Sequence, residues 1–280
     1  MQRKKKIKPV AIDINTLKVL ELEKEINIHS VFKNTINVKT NHGMMVFTTI
    51  KDVLPPLGVI VEEGDLDWIQ DKNFVLEPSN SYKYNSKILN YPILPDIRIL
   101  SIYFKKFLEL NKRNGLGILN TEIHGILKRK FYPATLNEVG NLINRIITTS
   151  DINDLRLIIG RGEGLTPSGD DFFVGFLASL FANNYFDEDF HEVKQELVKN
   201  IHKYTTDIGA DYILKALRGE FSQNIIRLVN YIQLNIYDEK SLKDLVQHGE
   251  TSGVDTFLGV VAGYVSLNNN LQIYREEKIV

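Results

Sequence analysis

The sequence predicts an α+β protein: a small β-rich region over residues 1–95, then a larger, mainly helical region over 96–280. Three observations predict it. Between Ser30 and Ile50, branched and aromatic residues partly alternate with polar ones around an Asn41-His42-Gly43 turn signal. From about Pro95 the apolar residues fall at helical spacing instead. Two long uncharged stretches, 172–186 and 256–274, lie in that second half and read as buried helices.

The elements follow in order. The run from Ser30 to Val38 reads as one strand and Met44 to Ile50 as its hairpin partner. Pro55-Pro56-Leu57-Gly58 breaks the chain, and Val59-Ile60-Val61 forms a short strand. Residues 77–95, rich in Ser, Asn, Tyr and Pro, read as loops and edge strands. Ile97, Leu100, Tyr103, Phe104, Phe107 and Leu108 share one helical face, and Asn114-Gly115 ends that helix. Thr135-Leu136-Asn137-Glu138 fits a capping box for a helix reaching about Thr148. Further helices are expected over 187–204, 207–217, 222–232 and 241–248, with Arg218-Gly219-Glu220 as a turn. Trp68 reads as a packing anchor.

Composition excludes several functions. With 43% hydrophobic residues the chain can bury a sizeable core, so wholesale disorder is excluded. A net charge of −1 provides no broad field to capture nucleic acid or an anionic membrane. The absence of cysteine removes disulfides, thiolate metal sites and a Cys nucleophile. Residues 1–8 are basic but lead into no apolar run, so a cytoplasmic protein without a signal peptide is expected. The basic tip itself reads as a solvated tail. No His-x-x-x-His or His-Glu-x-x-His pattern supports zinc.

The chemical signal lies in residues 160–175. Gly160, Gly162 and Gly164 alternate, and Thr166-Pro167-Ser168-Gly169 looks like a helix start. First-turn N–H groups and the positive end of the helix dipole favour an anion. In this reading the backbone of Gly162 and Gly164, with Thr166, Ser168 and Gly169, holds a phosphate or carboxylate. Arg161 neutralises it, and Asp170 and Asp171 position an ammonium or amide donor, or Mg²⁺. The plainer reading is a capped helix after a tight loop, with Asp171 closing a box on Ser168. The glycine spacing matches neither a Walker A loop nor a Rossmann fingerprint.

A second copy stands near the C-terminus. Ser168-Gly169-x-Asp171-x-Phe173-x-Gly175 recurs as Ser252-Gly253-x-Asp255-x-Phe257-x-Gly259. Two such helix starts can converge on one site, Ser252, Gly253 and Asp255 supplying the second anchor. Alternatively, both are capping boxes whose glycines permit close packing. The Gly160–Gly164 lead-in has no evident counterpart before His248. His29 and His248 are candidate general bases near neutral pH.

The Gly-Leu-Thr-Pro-Ser-Gly-Asp-Asp run of residues 164–171 resembles the hallmark of the AllH-like family. His29-Ser-Val-Phe32, residues 205–222 and residues 249–259 are similar to further passages of that family, so the resemblance spans about residues 25–265. It implies a subunit of a carbamoyltransferase-type enzyme acting on carbamoyl phosphate and oxamate in anaerobic, bacterial allantoin breakdown, a branch of purine catabolism. It also implies FdrA-like and AllG-like protein partners, and leaves a homo-oligomer open. The Ser-Thr-Arg-Thr-Arg loop of ordinary carbamoyltransferases is absent, so transfer chemistry here needs a different site. The alternative is a non-catalytic module that binds a small anion or nucleotide.

Overall fold

The structure, a computed structural model, describes residues 4–22, 27–118, 125, 138–149, 154, 156–185 and 188–277. It is α+β, with strands between residues 5 and 84 and mostly helices beyond. The chain divides into two compact units, one of Met1–Lys87 with Glu220–Asn224, the other of Ile88–Gly219 with Ile225–Val280.

Among the described residues the first unit holds eight short strands: β1 (Lys5–Ile7), β2 (Ala11–Asp13), β3 (Asn27–Phe32), β4 (Thr35–Thr40), β5 (Gly43–Thr48), β6 (Gly58–Ile60), β7 (Phe74–Leu76) and β8 (Tyr82–Tyr84). Six of them form a mixed sheet in the order β3-β4-β5-β6-β2-β8, and β1 pairs with β7 alone. The Asn41-His42 hairpin forms as the sequence predicts, with Thr40 opposite Gly43 and the Thr40 hydroxyl donating to the Gly43 carbonyl at 2.7 Å. The expected single strand from Ser30 to Val38 is instead split by a two-residue turn at Lys33-Asn34, which places Phe32 opposite Thr35. Folding back lets Ile36 and Val38 enter the core beside Met45, Phe47 and Val59. Two helices that the β-rich reading missed, α1 (Ile14–Leu22) and α2 (Leu66–Gln70), contribute Val19, Leu66 and Ile69 to that core. Trp68 lies on the outer face of α2 with 40% of its surface exposed, so it anchors little.

The second unit contains α3 (Ile97–Glu109), α4 (Glu138–Thr149), α5 (Ser168–Ala182), α6 (Glu188–Asn200), α7 (Asp207–Ala216), α8 (Gln223–Gln233, from Ile225 on), α9 (Glu239–Val246) and α10 (Ser252–Glu277). On α3, Leu100, Tyr103, Phe104 and Phe107 are buried as their spacing predicts, while Ile97 turns outward and Ile99 inward. That helix stops at Glu109, ahead of the expected Asn114-Gly115 stop, and Asn111 takes the left-handed conformation (φ +48°). Thr135, the start of the expected capping box, lies outside the described residues. Among the described residues no helix is long and apolar enough to cross a membrane.

Helix α5, and α10 from Gly253 to Leu267, are buried almost all round, which suits a central pair. They cross with backbones in contact. A Cβ added to Gly175 would lie 2.0 Å from the Thr256 carbonyl oxygen, and one added to Gly259 would lie 2.0 Å from that of Phe172. Thr256 and Phe172 occupy matching places in the two motif copies. One turn on, the Ser179 hydroxyl donates to the Val260 carbonyl at 2.8 Å, and Gly263 lies over the carbonyl of Phe176, the counterpart of Val260. The repeat is therefore a local two-fold relation, each helix offering the same surface to the other.

Candidate functional site

The two-fold relation continues to the helix starts, where the motif serines and aspartates exchange partners. Ser252 donates its hydroxyl to the Asp171 carboxylate, and Ser168 donates to that of Asp255. Neither aspartate caps the serine of its own helix, and α5 has no side-chain cap. The expected Ser168–Asp171 box is replaced because crossed bonds tie two helices together, whereas a cap would satisfy only one. A nearby threonine supports each aspartate, Thr166 for Asp171 and Thr251 for Asp255. The hydroxyls of Thr166 and Ser252 lie 3.3 Å apart.

The approach to each helix also repeats, which the sequence comparison did not reveal. The Gly169 N–H donates to the Arg161 carbonyl (2.8 Å), and the Gly253 N–H to that of His248 (3.0 Å). A Cβ on Gly169 would lie 1.8 Å from the Ile158 carbonyl, and one on Gly253 1.9 Å from that of Leu245. Gly162 and Gly249 both have positive φ (+108° and +64°), and both sit against the motif serine of their own helix. Gly249 is thus the counterpart that the lead-in had seemed to lack, hidden by a loop three residues shorter. These glycine amides face carbonyls, so hydroxyls and carboxyls set the character of the paired helix starts.

Burial shapes the carboxyl groups. It pushes Asp255 up to about 7, against the lowering effect of hydrogen bonds from Ser168, Gly115, Thr251 and Leu116. It also raises Asp171 well above the ordinary carboxylate range, aided by the charges of Asp255 and Asp170 and opposed by bonds from Ser252 and Thr166. Asp170 is raised by burial despite bonds from the Thr205 hydroxyl and the Gly160 N–H, the latter at 2.7 Å. Burial lowers His248, which favours its neutral imidazole. Tyr212 of α7 lies near enough to Asp171 to feel its charge, and burial raises its phenol.

The structure thus brings together Thr166, Ser168, Asp171, Ser252 and Asp255. Asp170 is adjacent but has an oxygen for each of Gly160 and Thr205. Arg161 faces elsewhere: its Nε donates to the Leu157 carbonyl at 2.8 Å, and its terminal nitrogen pairs with Glu138 at 2.5 Å. Gly164 lies in an exposed loop where a Cβ would meet nothing within 4 Å. His29 belongs to the first unit, exposed on β3 beside the Ser30 hydroxyl. Among the described residues no group of three His, Asp or Glu side chains is placed to hold a metal ion.

Sequence reasoning missed Gly115. Its N–H donates to both carboxylate oxygens of Asp255 (3.1 and 3.2 Å), and a Cβ there would lie 2.0 Å from the Ser168 hydroxyl oxygen. The Asn114-Gly115 pair carried a signal, but one that reads as a helix stop. Thr205 and Thr251 carried none, because isolated threonines are common in loops.

Residues 158–264 match the family model described as "Oxamate carbamoyltransferase subunit AllH", so that span of the chain is AllH-like. The match takes in both motif copies and excludes His29-Ser-Val-Phe32. No solved structure matches the chain.

Proposed function

From an AllH-like region that holds both Ser-Gly-x-Asp helix starts, we propose that this protein is a subunit of a carbamoyltransferase-type enzyme and binds its small substrate at those paired starts. One observation carries the reading: the family match covers every hydroxyl and carboxyl of the crossed pairs, leaving outside it only the Gly115 segment that closes one of them. The substrates would be oxamate and carbamoyl phosphate, in allantoin breakdown, with FdrA-like and AllG-like chains as partners.

The chemistry required is modest. The oxamate nitrogen forms a bond to the carbamoyl carbon, the carbon–oxygen bond to phosphate breaks, and the nitrogen gives up one proton. A carboxyl group that titrates near neutrality suits that proton transfer. Asp255, pushed up to about 7, is such a group, and Asp171 beside it is raised well above the ordinary carboxylate range. Ser168, Ser252 and Thr166 supply hydroxyls that can follow the change in charge. Arg161 would serve a phosphate at the Gly162–Gly164 loop by leaving its exposed partner Glu138, a pairing worth little in water. Asp170 would hold that loop through the Gly160 N–H. Mg²⁺ at Asp170 and Asp171 would have the free oxygen of Asp171 as its protein ligand.

Reconstitution tests the reading. The full chain is combined with FdrA-like and AllG-like subunits, supplied with oxamate and carbamoyl phosphate, and assayed for phosphate and N-carbamoylated oxamate. Turnover that requires this chain and falls at least about 100-fold in Asp171→Asn is expected. Oxamate binding without turnover in any combination would replace the enzyme reading with the binding module.

A further inference from the structure

The local two-fold makes the two halves of the site comparable, and the surroundings of their two aspartates differ. Asp255 is closed by backbone: the N–H groups of Gly115 and Leu116 complete a carboxylate already bonded by Ser168 and Thr251. Asp171 likewise receives hydroxyls from Ser252 and Thr166, but its Oδ2, shut off from solvent, has no hydrogen-bond partner among the described residues. Such an atom costs stability unless something pairs with it. We propose that Asp171 Oδ2 is the anchor for the amide N–H of the substrate, which takes the place that the Gly115 amide takes on Asp255.

The counterpart half identifies the chemical class. What completes Asp255 is an uncharged N–H on a planar amide, that of Gly115, whose missing Cβ lets it lie against Ser168. A carboxamide offers the same donor with the same shape. Asp170 cannot serve, because its oxygens are held by Gly160 and Thr205. A metal ion would need at least three carboxylates or imidazoles placed round one point, and no such group of three stands among the described residues. The inference rests on the proposed substrate site and adds which atom reads the amide end.

Oxamate and pyruvate separate the possibilities, because they share size and charge and differ by an amide NH₂ against a methyl group. Isothermal titration is run on the full chain, alone and with its partner subunits. The expected result is oxamate binding about 10- to 100-fold tighter than pyruvate. In Asp171→Asn, with its fold verified by thermal melting, the preference shrinks to about twofold. Equal affinity for the two in the wild type overturns the anchor and leaves the substrate site standing. A preference unchanged in Asp171→Asn does the same. Binding of neither compound removes the site and the anchor together. Heat from Mg²⁺ alone that Asp171→Asn abolishes, with no oxamate preference, assigns Oδ2 to a cation instead.

Discussion

Asp255 is fully buried, and its carboxyl titrates near 7 instead of near 4. The native state therefore keeps a proton that the unfolded chain releases. The associated stability is fully present below about pH 4 and is lost as pH rises to about 7, an effect on the order of 4 kcal/mol. Melting temperature should fall from pH 5 to pH 8. Asp255→Asn, which cannot ionise, should show a shallower fall, so that its deficit against wild type narrows as pH rises. Circular dichroism melts at unit pH steps check this, and a deficit independent of pH contradicts it. Asp171 and Asp170, raised in the same direction, keep some slope in the variant. Lys215 makes a second residue-scale case. It is 1% exposed and paired with Asp211 at 2.7 Å. Lys215→Ala should cost about 3–5 kcal/mol by removing one side of a buried ion pair, whereas the joint change Lys215→Met with Asp211→Leu should approach neutrality. Urea unfolding of the three variants decides it, and a double variant as unstable as the single one rejects it.

At the scale of elements, the crossing of α5 and α10 holds the site together. Gly175→Ala and Gly259→Ala each place a methyl 2.0 Å from a carbonyl of the opposite helix, and backbone cannot step aside as a flexible side chain can. Each should lower stability by about 1–3 kcal/mol or more. Gly64→Ala, where a Cβ meets nothing within 4 Å, should stay within about 0.5 kcal/mol. Equal urea midpoints for Gly259→Ala and Gly64→Ala would show that the helices do not need this contact. Both helices were legible in the sequence, as were the repeated motif and the Asn41-His42 hairpin, because long uncharged stretches and turn chemistry are local signals. Their crossing was not: periodicity tells which face is apolar, not which element covers it. Gly259 and Gly263, four residues apart on one helix face, carried a hint of close packing. The exchange of partners between Ser168 and Ser252 was invisible because a Ser-x-x-Asp string reads the same whether it caps its own helix or binds another. The turn at Lys33-Asn34 escaped because it contains no glycine.

At the scale of the molecule, a net charge of −1 conceals a local imbalance. The paired helix starts bring the carboxyls of Asp171 and Asp255 within each other's field, with Asp170 adjoining, while the guanidinium of Arg161 is turned to Glu138. An anionic substrate at this proposed site would meet carboxyl groups whose protonation decides whether they repel it or donate to it. Because burial raises both aspartates, and Asp255 to about 7, protons are available within the physiological range. Binding an anion should then draw in protons, so oxamate affinity should strengthen several-fold from pH 8 to pH 6. Salt should matter little. With almost no net charge to steer the ligand, and partly buried groups poorly screened at a Debye length of about 10 Å, raising ionic strength from about 0.05 to 0.3 M should change affinity less than about threefold. Titration calorimetry in two buffers of different ionisation enthalpy measures affinity and proton uptake together. Weaker binding at pH 6, or proton release on binding, would mean that the aspartates are ionised in the bound state and that a cation neutralises the substrate instead. Arg161 freed from Glu138 would then be the group to examine.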